Sequence, residues 1–259
     1  MEENLLDVAD RWVWFPANLT VIEEPEFTLT LNTQDTTDNV VHVSRTANPA
    51  ALLSHIEHLV KEAGGRQLKW WVLATSRPRE MHAILSEHGY SPSEIVEVLA
   101  WSLGDSTKPR LPWPTVALTH VDRPQMADDV IAAVTVLATV FNGAAPSSDE
   151  LNRAVQDWSR DSASASGYYI ARNPQKQIVG AAGLTMNGSV GKFWGSAVQP
   201  AWRTQGLYRQ LVKLRAQVAR NHGANHCLVK ARIGTSAPIL RQAGFLHLAT
   251  EVCYRRPLA

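Results

Sequence analysis

The sequence predicts an α/β chain of the α+β type: a mixed, largely antiparallel sheet flanked by helices, built as two similar units. Three observations predict it. Apolar runs of strand length alternate with amphipathic helical stretches along the 259 residues. Hairpin-type turns at Asn173-Pro174 and Asn187-Gly188 separate consecutive strands in the second half. Both halves also finish alike. Each has an apolar strand, a proline-initiated helix, then Gly89-Tyr90 or Gly244-Phe245 and a closing strand.

The first unit spans 1–108. Leu5 to Trp14 reads as a helix, and Thr28–Leu31 and Val40–Val43 as short strands. Asn48-Pro49 opens a helix over Leu52, Leu53, Ile56, Leu59 and Val60, closed by Gly64-Gly65. Lys69–Ala74 is apolar on both faces, as a central strand is, with Trp70 and Trp71 pointing to opposite faces. Arg77-Pro78 opens a helix through Met81, Ile84 and Leu85, and Ile95–Leu103 reads as a strand.

Ser106–Pro114, with its prolines and Lys108, marks the boundary, and the second unit spans 114–259. Val116–Val121 reads as its first strand, and Met126–Phe141 and a stretch capped by Ser147 and Glu150 as helices. Strands follow at Tyr168–Arg172, Gln177–Thr185 and Val190–Val198. A strand at Cys227–Ala231, a short helix after Thr235-Ser236 and a strand at Phe245–Tyr254 complete it.

Between the strand at 190–198 and the next helix lies Gln199-Pro200-Ala201-Trp202-Arg203-Thr204-Gln205-Gly206-Leu207-Tyr208-Arg209. Pro200 cannot donate to a ladder and stops the strand. Leu207, Leu211, Leu214 and Val218 keep one apolar stripe, and Gly223 ends the helix. The first N–H groups of a helix lack intrahelical partners and carry the positive end of its dipole. Gly206, without a Cβ, lets a bulky anion approach them, so the turn predicts a phosphate cradle. The phosphate-binding patterns G-x-x-x-x-G-K-[ST] and G-x-G-x-x-G do not occur there.

Composition narrows the classes. A net charge of +1 gives no field favouring nucleic acid or a membrane surface. No apolar run approaches the ~20 residues of a spanning helix. Met1-Glu2-Glu3-Asn4 is acidic, unlike a signal peptide. Two cysteines, Cys227 and Cys253, make no disulfide framework and fit a reducing cytoplasm. His55 and His58 share a helical face without a completing ligand, so no metal is expected.

From Thr115 to about Arg256 the chain resembles the GNAT superfamily of acyl-CoA-dependent N-acetyltransferases. That superfamily's acyl-CoA motif, [QR]-x-x-G-x-[GA], stands here as Arg203-Thr204-Gln205-Gly206-Leu207-Tyr208, with Tyr208 in place of a small residue. The late G-F signature stands as Gly244-Phe245, and the first unit resembles a degenerate half of the same fold, as in tandem GNAT proteins.

The resemblance implies acetyl-CoA as co-substrate and direct acetyl transfer to a primary amine of a small molecule or peptide. It implies that the N–H groups of Arg203, Thr204, Gln205, Gly206, Leu207 and Tyr208 hold the coenzyme's diphosphate. Arg203 and Arg209 add charge there or are solvated helix-face cations. Backbone groups of Ala197 and Val198 pair with the pantetheine arm, and the strands at 190–198 and 227–231 splay around the thioester. The slot where relatives carry an acidic Tyr holds Leu240, and no general base declares itself. Ser236 and Tyr254 are the remaining catalytic candidates, with Ser236 more readily read as a helix cap. Trp194, on the strand before the motif, reads as a wall of an apolar acceptor pocket. A monomer and a homodimer are both compatible with the sequence. A competing reading is an acyl-CoA sensor or scaffold without chemistry; a third is an unrelated nucleotide-binding α/β protein.

Overall fold

The computed structural model describes residues 4–11, 19–32, 39–104, 121–142, 145–161 and 163–258. In chain order these form α1 (Leu5–Asp10), β1 (Thr20–Glu24), β2 (Phe27–Leu31), β3 (Asn39–Ser44), α2 (Pro49–Glu62), β4 (Gln67–Val72), α3 (Met81–Glu87) and β5 (Ser91–Ser102). Next come β6 (Val121–Asp122), α4 (Ala127–Asn142), α5 (Ser148–Arg160), β7 (Gly167–Arg172), β8 (Ile178–Asn187) and β9 (Val190–Val198). A 3₁₀ turn (Pro200–Trp202), α6 (Leu207–Asn221), β10 (His226–Arg232), α7 (Ser236–Gln242) and β11 (Leu246–Pro257) complete the chain.

Two units form, and neither is one continuous segment. The first takes in 1–99, 231–241 and 247–259, the second 100–230 and 242–246. The boundary expected near 106–114 lies outside the described residues, as does the strand expected at 116–121 apart from Val121.

In the first unit the strand order is β1-β2-β3-β4-β11-β5. β11 joins through an antiparallel ladder with β4, from Val252 opposite Val72 to Pro257 opposite Gln67. Leu52, Leu53, Ile56 and Val60 of α2 recur at helical spacing, and all are buried against Phe27, Leu29, Val41, Leu68 and Trp70. Asn48 caps α2 with its Oδ1, accepting from the Ala51 N–H at 3.2 Å. Trp70 is fully buried and Trp71 is not, as alternation along a strand requires.

In the second unit the order is β10-β9-β8-β7-β6, antiparallel except for the parallel β9–β10 pair. Ala133 and Val136 of α4 cover one face, packed with Ile170, Ala181 and Ala197. The capping box of α5 is present: the Glu150 N–H donates to Ser147 Oγ and the Ser147 N–H to Glu150 Oε2. On α6 the buried face comprises Leu207, Gln210, Leu211, Val212, Arg215, Ala216 and Ala219. Leu214 and Val218, read in the sequence as part of the stripe, are only half-buried. The helix is turned so that an arginine takes a core position.

Several elements differ from the sequence reading; α3, for one, begins at Met81 and not at Arg77-Pro78. α1 ends at Asp10, with residues 12–18 outside the described set. β1 was not anticipated, because its Thr-Val-Ile-Glu-Glu run is mostly exposed and carries little apolar signal. β5 begins at Ser91 and β11 extends to Pro257, beyond the apolar runs, because ladder hydrogen bonds do not require apolar side chains.

Candidate active site

The site is built where β9 ends and α6 begins. β9 and β10 pair in parallel over four positions, from Val190 opposite His226 to Phe193 opposite Val229, and the register stops there. Past Phe193, β9 departs from regular pairing on its other side too. Ala181 stands opposite Ala197 and Gly183 opposite Trp194, so Gly195 and Ser196 face one residue, Ala182. This is a β-bulge, and Gly195 adopts φ +56° within it.

The bulge is held from beneath by Arg215 of α6, which is fully buried. One terminal nitrogen donates to the Gly183 carbonyl at 2.9 Å and to the Trp194 carbonyl at 3.4 Å. The other donates to Ser196 Oγ at 2.8 Å, and Nε to the Leu211 carbonyl at 3.1 Å. The guanidinium also lies over the Phe193 ring, 4.4 Å from its centroid. Burial pulls its pKa down to about 10, which leaves it charged at neutral pH. Sequence reading missed Arg215 because an arginine inside an amphipathic helix ordinarily faces solvent. The available signal was a pair of glycines, Gly183 and Gly195, inside otherwise apolar strands.

Beyond the bulge, the Gln199 N–H donates to the Val179 carbonyl at 2.8 Å. That bond makes Gly180 and Val198 a non-hydrogen-bonded pair, so the N–H and C=O of Val198 point away from β8. Ala197 instead pairs with Ala181. The Val198 carbonyl accepts from Arg203 Nε at 3.1 Å, which ties the loop to the strand end.

The loop itself is bent twice. Thr204 has φ +63° and Gly206 φ +81°, both in the left-handed region. A β-branched residue there is held at a cost of about 1–3 kcal/mol, a strain that tends to sit at functional turns. The Thr204 hydroxyl donates to the Arg203 carbonyl at 2.6 Å. Gly206 is the N-cap of α6 and no side chain caps the helix. Its Gln210 N–H donates to the Gly206 carbonyl at 3.0 Å, the bond that closes the first turn. A Cβ built on Gly206 meets no atom within 4 Å, so the space before the helix is open. Arg203, Thr204, Gln205 and Arg209 are exposed, Tyr208 is half-buried and Leu207 is buried. The structure thus brings Val198 and residues 203–209 together around one bend.

The other candidates fall elsewhere. Trp194 lies flat on Gly183, donates from Nε1 to Thr185 Oγ1 at 3.0 Å and meets Tyr168 edge-on at 5.4 Å. Ser236 Oγ accepts from the Arg232 N–H at 3.1 Å, a local turn bond at the start of α7. Tyr254 packs in the core of the first unit, its hydroxyl 3.2 Å from His82 Nδ1. His55 and His58 face different carboxylates, Glu24 at 3.8 Å and Glu62 at 3.2 Å. Among the described residues no group of three or more His, Cys, Asp or Glu is placed to hold a metal ion. Nor is any described helix long and apolar enough to cross a membrane.

Residues 133–237, which contain the bulge, the bend and α6, match the model of the acetyltransferase (GNAT) family. Over those residues the chain is similar to that family. Solved structures agree on the GNAT fold over nearly the whole length. A GCN5-related N-acetyltransferase from Sphaerobacter thermophilus superposes with TM-score 0.66 at 16% identity, covering 99% of this chain and 86% of that one. One from Kribbella flavida gives 0.64 at 19%, covering 93% and 90%. A tandem GNAT protein from the clavulanic acid biosynthesis pathway gives 0.64 at 14%, covering 99% and 89%. No curated protein matches the sequence. Family and fold together indicate an acyltransferase.

Proposed function

We propose that the GNAT domain is an N-acetyltransferase that takes acetyl-CoA and acetylates a primary amine of a small molecule or peptide. The observation that carries this reading is the open bend at Gly206: a left-handed, uncapped helix start with no atom where a side chain would stand. A diphosphate fits such a bend, because the amides of the first turn converge there and the helix dipole favours negative charge. Arg203, Thr204, Gln205, Gly206, Leu207, Tyr208 and Arg209 would supply it, and Val198, whose backbone groups point away from β8, would pair with the pantetheine arm. Acetyl-CoA supplies an activated acyl group: the amine nitrogen bonds to the carbonyl carbon, the C–S bond breaks, the electron pair leaves on sulfur, and the amine proton passes to solvent.

The chain's own work is to align the thioester and to exclude competing geometry. An alkyl amine has a pKa of about 10.4 and must lose a proton before attack, while a thiolate leaves unaided more easily than an alkoxide. Trp194 and Tyr168, edge to face beside the bulge, form the aromatic surface against which we place the acceptor.

We further assign residues 114–259 as the transferase and 1–108 as a degenerate GNAT-like half. The equivalent junction in the first unit, between β3 and α2, uses its amides internally. Thr46 N–H donates to the Arg77 carbonyl at 3.1 Å, Asn48 N–H to Thr46 Oγ1 at 3.0 Å and Ala51 N–H to Asn48 Oδ1 at 3.2 Å. Such a junction offers an anion far less than the bend at Gly206 does.

The test is release of free CoA thiol from acetyl-CoA over a panel of amines, amino acids and peptides. Amine-dependent release supports the assignment. Tight CoA binding without release for any amine leaves an acyl-CoA-binding module in its place.

A further inference from the structure

We propose that Arg215 is a positioning residue for acyl transfer, acting through the β9 bulge; this rests on the reading of the domain as an acetyl-CoA transferase. The argument begins with charge. Arg215 is a fully buried cation whose hydrogen-bond partners are all neutral: three backbone carbonyls and one hydroxyl. Burying a guanidinium costs several kcal/mol unless its donors are satisfied. A methionine or leucine would fill a helix face at lower cost. What the arginine provides is direction.

Two of its acceptors, the carbonyls of Gly183 and Trp194, belong to facing residues of β8 and β9 immediately before the bulge. A third, Ser196 Oγ, lies inside it. The guanidinium is planar and its donors are fixed in a fork, so it sets the separation and orientation of all three together. The peptide after Trp194 is trans, since the described chain's one cis bond is Arg77-Pro78. In a trans peptide C=O and N–H point in opposite directions. Holding the Trp194 carbonyl therefore fixes the Gly195 N–H on the opposite side of that peptide. Parallel pairing with β10 has already ended, at Phe193, so β10 takes no part there. An N–H fixed beside an acyl carbonyl polarises it, and the charge of Arg215 on the other end of the same peptide strengthens that donor. α6 thereby serves the proposed site at two points, its first turn at the coenzyme phosphates and Arg215 at the β9 bulge.

The experiment is isotope-edited infrared spectroscopy of acetyl-CoA carrying a ¹³C carbonyl, bound to the full chain, beside calorimetric titration of CoA. In the wild-type protein the bound carbonyl band moves to lower frequency than the free one. Arg215→Lys and Ser196→Ala should each lose about half of that shift or more, with CoA affinity kept within about twofold. Ser196→Ala removes one buried hydroxyl only and decides the matter if Arg215→Lys does not fold. A band that stays shifted in the folded variants overturns the positioning role alone. Failure of the wild-type protein to bind CoA overturns both this and the transferase reading.

Discussion

Tyr254 on β11 stands in register opposite Trp70 on β4, and both are buried in the core of the first unit. The late strand thus completes a sheet begun near the start of the chain. Deleting residues 1–108 removes β4 and leaves Val252, Tyr254 and Leu258 without their packing. The fragment 109–259 should be aggregation-prone and less stable than the full chain, because an unpaired apolar edge is a template for association. Size-exclusion chromatography and thermal melting check this; a monodisperse fragment with an unchanged melting temperature would contradict it.

Gly206→Glu should abolish CoA binding while the fold persists, because a carboxylate would occupy the anion position. Left-handed strain is common to any such substitution, so a control is needed. Gly223, at the other end of α6, has φ +85° and equally open space. Gly223→Glu should cost about 1 kcal/mol of stability and leave CoA affinity intact. Equal CoA affinity in the two variants, by calorimetry, would refute the cradle.

The Trp194 ring occupies the space a Cβ on Gly183 would need. Gly183→Ala should therefore displace the indole, break its bond to Thr185 and destabilise by about 1–3 kcal/mol. In a Trp194→Ala background the same change should cost much less, since the obstructing ring is gone. Denaturant unfolding of the four proteins measures the coupling, and additive effects would rule out the steric account.

Asp129 of α4 accepts from Arg172 of β7 at 2.7 Å and from the Gln125 N–H at 2.9 Å. Burial alone would raise its pKa, but the Gln125 N–H and the Arg172 guanidinium outweigh burial and hold it below the ordinary value. A depressed carboxyl stabilises the fold above its unfolded pKa of about 3.9 and ceases to do so as pH falls through the folded value. Asp129→Asn should thus cost about 1–3 kcal/mol near neutral pH, with the gap from wild type closing below about pH 4. Urea unfolding as a function of pH checks the sign; a gap that widens on acidification would be inconsistent with it.

Much of this protein is written in local sequence. The α2 stripe from Leu52 to Val60, the capping box of Ser147 and Glu150, the strand stop at Pro200 and the bend at Gly206 each rest on residues within a turn or two of one another. Such features are legible because period, cap and left-handed glycine are local physics. The motif at 203–208 resembled that of the GNAT superfamily for the same reason, and residues 133–237 match the family model. Tertiary structure alone decided the rest. Arg215 is charged and helical, and its burial depends on acceptors distant in sequence, the carbonyls of Gly183 and Trp194 and the Ser196 hydroxyl, on two strands. That β11 belongs with β4 was likewise invisible, since a ladder is chosen by which edge is open, and no short stretch of sequence records that.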